Sequence, residues 1–337
     1  MEKRLHYIDI AKAILIILLL FSHSFIASRQ MGHENETITW LWQYVLLFNA
    51  FFMQSFFFIT GFCSNFNVDF KNFIWKNIKT LLIPSIILAF IGDYAKEIIF
   101  TGKITPGVLL AILGWWKTGG FWFIAALFLC KVLYYGINKL NLSSQWISII
   151  LLYLSGLFLD QIDIIPNYWF HRHALLMLPY LAFGQFIKNN QILLERWLKP
   201  LAIVGFFLLP FEWKLNQMGL FPLPAHDFTI SVNFITFPLH IVNVFIGTSL
   251  ILYVSRLIDR NRFLETFGRG TLFIYLTNNL VLRLSVLFIY GIVQSELSYS
   301  GSILVHLSVV AFSIAVYYLL VRIIYSSKKL SWVVGKW

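Results

Sequence analysis

The chain has 337 residues, of which 59% are hydrophobic and only 12% charged, and its formal net charge is +11. Soluble domains carry about 25% charged residues, so a water-soluble fold is excluded and a polytopic membrane protein is expected. In a soluble protein the positive charge would point to nucleic acid, but here Lys and Arg held in cytosolic loops account for it.

Ten candidate spans follow one another over 8–27, 40–63, 81–100, 120–139, 145–160, 174–189, 198–213, 228–255, 270–293 and 300–324. A hydrocarbon core needs about 20 apolar residues. The fold class expected is therefore all-α, a transmembrane helix bundle of about ten spans forming a single integral membrane domain over 1–337. The apolar stretch 106–116 is too short to cross and fits an interfacial or re-entrant segment.

The first span carries Asp9, Lys12 and His23. Ionisable groups inside a bilayer are costly and mark a functional site by default. Lys12 and His23 are eleven residues apart, close to three turns, so they share a helix face about 16 Å apart along the axis. Asp9, one turn before Lys12, is within pairing reach of it. This face reads as one wall of a polar cavity. The plainer alternative is a snorkelling Lys12 paired with Asp9 and a histidine at the interface. Lys3 and Arg4 before an apolar run imitate a signal peptide, but the internal charges and the lack of a small-residue cleavage site argue for a retained helix.

The second span ends in Thr60-Gly61, where glycine permits close helix approach. A basic segment follows, in which Lys76 and Lys79 lie one turn apart before Pro84. They suit either an anionic cofactor or anionic lipid and topology. Trp115, Trp116 and Trp122 suit either sugar stacking or interfacial anchoring. His171 and His173, at i and i+2, do not share a helix face, so no metal site is expected. Asn233, His240 and Asn243 in the eighth span and His306 in the tenth suit a cavity lining, although lone histidines such as His240 and His306 are more often packing residues. Arg283 lies deep in the ninth span, one turn after Asn279 and on its face. It suits either an acyl carbonyl or substrate anion, or a structural network with Asn279. Cys63 and Cys130 imply no disulfide framework.

Placing the N-terminus inside puts eighteen Lys and Arg on the inner side and six outside, with Lys12 and Arg283 in spans. Both termini are thus expected in the cytosol, with Lys12 near the inner mouth and His23 near the outer.

Several stretches carry a family resemblance: Ile8-Asp9-Ile10-Ala11-Lys12, then His23, Phe57-Phe58-Ile59-Thr60-Gly61 and the basic pair before Pro84. They continue through Trp122-Phe123-Ile124-Ala125-Ala126-Leu127 and Leu178-Pro179-Tyr180-Leu181-Ala182-Phe183-Gly184 to the run from Phe267 to Tyr275. This order resembles the acyltransferase 3 family of integral membrane acyltransferases, and within it the branch related to fucose 4-O-acetylases. The resemblance implies a multi-pass enzyme of a bacterial cytoplasmic membrane. Such an enzyme moves an acyl group, usually acetyl, from cytosolic acyl-CoA to a sugar hydroxyl of a surface polysaccharide or lipid-linked glycan. Its key pair maps onto Lys12 and His23. Lysine replaces the more usual arginine at Lys12, Lys76 and Lys79, keeping the charge but not the bidentate fork. Thr277-Asn278-Asn279 stands where a histidine often follows, so no proton transfer is assigned to Asn278.

The expected catalytic set is His23 with Lys12 and Asp9. Lys12, Lys76, Lys79 and Arg269 are expected to bind the CoA co-substrate, Arg283 or Asn279 to stabilise the oxyanion, and Trp122 to contact sugar. His23 acts as general base in this scheme, with an acyl-His23 route as the variant. Asp9, about 21 Å along the axis, is too far to orient the His23 ring. No metal is expected. The expected partners are the glycan acceptor and membrane lipids, and a homo-oligomer is compatible. The rival is a transporter or flippase of an amphiphilic glycan, which calls for repeated halves with paired broken helices. A polymerase calls for a large outer loop.

Overall fold

A helix apolar over most of its circumference has to be buried or lie in lipid, and the first helix, outside the face that holds Asp9, Lys12 and His23, is of this kind. The structure, a computed structural model, describes residues 5–33, 51–102, 122–162, 170–217, 236–293 and 299–334, together with Trp42, Val45, Leu47 and Phe48. The 106–116 stretch, Trp115, Trp116, Asn233 and the side chain of His240 lie outside the described residues. Among those described, every regular element is helical: α1 (His6–Gln30), α2 (Phe52–Cys63), α3 (Phe70–Asn77), α4 (Ile83–Thr101), α5 (Trp122–Ile137), α6 (Leu142–Ile162), α7 (His171–Asn189), α8 (Gln191–Gln217), α9 (Thr236–Ile258), α10 (Arg262–Arg269), α11 (Thr271–Ile292) and α12 (Tyr299–Ser326).

Among the described residues a helix overlaps each expected span, and five stretches are long and apolar enough to cross a membrane: His6–Gln30, Leu142–Leu159, Ile241–Ile258, Thr271–Ile292 and Gly301–Ser326. α2 and α5 are apolar but shorter.

α1 is the staff of the bundle. It packs against α2, α9, α10, α11 and α12, and Ile10, Ala11, Ala13, Leu15 and Leu20 are wholly buried. Small residues let two crossings close. A methyl group on Gly61 of α2 would overlap the Leu181 carbonyl of α7, and one on Gly184 of α7 would overlap the Phe58 carbonyl of α2. α10 presses on α1 in the same way, since a methyl on Gly268 would overlap the Asp9 carbonyl.

α3 starts at Asp69, whose carboxylate caps the Lys71 and Asn72 amides. It runs into α4 through one π-turn, Ile78–Leu82. Pro84 supplies no N–H to the preceding turn, and a π-turn is a usual way for a helix to absorb such a local mismatch. The turn bears on the neighbouring lysines, described next.

Candidate active site

At the amino-terminal end of α1, Asp9 is buried and its carboxylate lies 3.7 Å from Nε of Arg269. Arg269 also lies 3.5 Å from Glu265, one turn earlier in α10, and Glu265 meets Nδ1 of His6 at 2.9 Å. Arg269 is thus held between two buried carboxylates, so its charge is largely spent within the protein.

Lys12, half-buried on the next turn, faces the end of α2. The exposed thiol of Cys63 feels Lys12, Lys188 and Lys131 together, and Lys131 of α5 in turn feels Lys76. Lys188 Nζ donates to the Ser64 carbonyl at 2.9 Å. Gln185, with its amide nitrogen turned to α2, donates to the Gly61 carbonyl at 2.9 Å and the Ser64 carbonyl at 3.2 Å. These bonds satisfy carbonyls left open at a helix C-terminus. Lys76 and Lys79, expected as a pair, have different neighbours. Lys76 is exposed toward Lys131, whereas Lys79 Nζ sits 5.0 Å over the Trp75 ring. Lys131 and Lys188 were not singled out by sequence reasoning. In sequence they count only as inner-side lysines, and only the packing of α5 and α7 on α2 brings them to Lys12.

Three turns along α1, His23 is half-buried. Its Nδ1 lies 2.7 Å from Oδ1 of Asn278 on α11. The Asn278 amide nitrogen donates to the Tyr275 carbonyl. Beside it, Thr277 Oγ1 donates to the Phe273 carbonyl at 2.8 Å and meets the buried Tyr317 hydroxyl of α12 at 3.1 Å. Ser24, next to His23, donates to the Phe21 carbonyl at 2.7 Å and lies 2.9 Å from Nε2 of His306. His306 is fully buried, with its ring 4.0 Å from that of Phe25. Asn243 is buried on α9, opposite Glu212 of α8.

Arg283 and Asn279 are joined, with Nε donating to Oδ1 at 2.9 Å. Arg283 also donates to Gln30 at the end of α1 and lies over the Phe100 ring at 5.5 Å. It therefore ties α1, α4 and α11 together beyond His23. Trp122, at the start of α5, is half-buried with its ring 5.3 Å from that of His173. Its neighbour Phe123 meets Tyr275 at 5.1 Å in a tilted ring contact, so Trp122 belongs to the His23 end.

The arrangement has two poles on one helix, with lysines gathered at one and an imidazole at the other. The cationic pole suits phosphate, and the imidazole suits proton transfer. Among the described residues no three His, Cys, Asp or Glu side chains gather as a metal site would require.

The family model for an acyltransferase domain matches residues 5–322, a stretch that runs from the start of α1 into α12 and holds every site residue named above. No curated protein matches the chain, and no solved structure does. A match of this extent, over helices that carry the Lys12 and His23 face, places the chain in the acyltransferase 3 family, as a multi-pass membrane acyltransferase.

Proposed function

We propose that the protein is an O-acyltransferase of the cytoplasmic membrane, related to the fucose 4-O-acetylases. It would move an acetyl group from cytosolic acetyl-CoA to a sugar hydroxyl of a surface polysaccharide or lipid-linked glycan. The observation that carries this reading is the two-pole face of α1, with Lys12 among Lys76, Lys131 and Lys188 at one end and His23 hydrogen-bonded across the bundle at the other.

In this reading the lysine pole faces the cytosol and holds the phosphates of CoA, with Lys79 at its edge. Ammonium groups suit this role as point charges. Arg269 braces Asp9 and Glu265 and keeps α10 on α1. The pantetheine arm passes Lys12 and brings the thioester to His23. His23 takes the proton from the acceptor hydroxyl as its oxygen bonds to the thioester carbonyl carbon. The oxyanion collapses, the carbon–sulfur bond breaks, and His23 returns the proton to the CoA sulfur. The products are a sugar ester and free CoA thiol. Asn279 and Arg283 supply the polar wall on the acceptor side, from which a donor would reach the oxyanion. Trp122 offers a ring face to the sugar.

The test is transfer of radiolabelled acetyl from acetyl-CoA to membrane glycolipid by purified protein in detergent. Alkali-labile label on the glycan supports the reading. Acetyl-CoA that binds without transfer, or that does not bind at all, overturns it.

A further inference from the structure

His23 has two ring nitrogens, and general-base chemistry needs one of them free of its proton and aimed at the acceptor. A carboxylate often settles this by accepting a hydrogen bond from the other nitrogen. Among the described residues no carboxylate does so. Asp9 is about 21 Å away along the helix, and among the described residues no charged group bears on the ring. Titratable and charged side chains on the helices around it include Tyr275 and Arg283 on α11 and Tyr317 and His306 on α12, and Arg283 bonds Asn279 and Gln30. Tyr317 bonds Thr277, and His306 bonds Ser24.

We infer that Asn278 is the positioning residue for His23: its amide oxygen accepts from Nδ1–H and leaves the Nε2 lone pair as the base. The amide has only one orientation that satisfies both of its contacts. Its nitrogen has to face the Tyr275 carbonyl, which accepts but cannot donate. Its oxygen therefore faces His23, and the bond at 2.7 Å requires the proton on Nδ1. Only an amide both donates to Tyr275 and accepts from His23. An aspartate would set a second acceptor against the Tyr275 carbonyl, and a leucine would do neither.

The surroundings keep this geometry rigid. The Thr277 bond to Tyr317 fixes α11 on α12, and the Ser24 contact with His306 fixes α1 on α12. All three helices that define the His23 ring are thus tied within one residue of the His23–Asn278 pair.

This inference rests on His23 being the base, and its test separates the two. The protein is labelled with 15N-histidine, His23 is assigned by its loss in His23→Ala, and both ring nitrogens are read by NMR in detergent. The wild type is expected to show a protonated Nδ1 and an unprotonated Nε2 whether or not transfer is observed. Asn278→Asp retains the acceptor and keeps that proton placement with partial activity, whereas Asn278→Leu loses it. With Leu, kcat should fall on the order of 10–100-fold, the usual cost of removing an orienting partner. KM for acetyl-CoA should stay within about threefold, because the lysine pole is about 16 Å away. Proton on Nε2 in the wild type overturns the inference, as does an Asn278→Leu variant with wild-type kcat. Loss of transfer by wild-type protein that still shows the Nδ1 proton would sink the acyltransferase reading and leave the pairing intact.

Discussion

Arg269 separates two accounts of the cationic pole, because its basic charge in the sequence suggests a ligand for CoA whereas the geometry makes it a brace. Consider Arg269→Met, which keeps the stem and removes the charge. The guanidinium lies 3.7 Å from the Asp9 carboxylate and 3.5 Å from that of Glu265, and the two acids are only 7% and 10% exposed. Removing one partner of a fully buried pair costs about 3–5 kcal/mol, while an exposed pair contributes about 0–1 kcal/mol. The guanidinium is itself 30% exposed and Glu265 keeps His6, so the expected loss lies between, at about 1–3 kcal/mol. The assay is thermal unfolding in detergent beside acetyl-CoA binding on the same sample. The brace account predicts a lowered transition with acetyl-CoA affinity changed less than about threefold. An unaltered transition with affinity down about tenfold would refute it and return Arg269 to the phosphate site.

Gly184→Leu should abolish the α2–α7 crossing and prevent accumulation of folded protein, while Gly184→Ala should cost about 1–3 kcal/mol as an overpacked contact, read by unfolding in detergent. Acetyl-CoA should shield Cys63 from maleimide, since that thiol sits among Lys12, Lys131 and Lys188; labelling at an unchanged rate would place CoA elsewhere. Glu195 is held below its ordinary carboxylate pKa by the hydrogen bond from Arg256 at 2.8 Å. Its contribution is present above the usual glutamate range and fades as pH falls through the lowered value. Because the Glu195 side chain is 65% exposed, Glu195→Gln should cost no more than about 1 kcal/mol at neutral pH, read by unfolding in detergent.

Much of one helix could be read from sequence alone. Helical periodicity puts Lys12 and His23 on one face, and composition marks the chain as a membrane bundle. Contacts between distant segments could not be read. His23 and Asn278 are 255 residues apart, and no local pattern links an amide in a helix interior to an imidazole so far back. Lys131 and Lys188 look like ordinary inner-side lysines until α5 and α7 bring them to Cys63. Arg269 looks like a free cation because Asp9, its partner, comes from the other end of the chain. The spacing of Lys76 and Lys79 predicts a pair, but the π-turn ahead of Pro84 begins between them and Lys79 turns back onto Trp75. In each case the missing information is tertiary packing rather than residue chemistry.

Transfer of acetyl from CoA at His23 can be followed in a single turnover in proteoliposomes loaded with membrane glycolipid, comparing wild type with His23→Ala at matched acetyl-CoA occupancy. The wild type should transfer label and release CoA thiol. The variant should bind acetyl-CoA as well and transfer at least about 100-fold more slowly, the lower range for a lost general base. Equal transfer by both proteins would contradict the account.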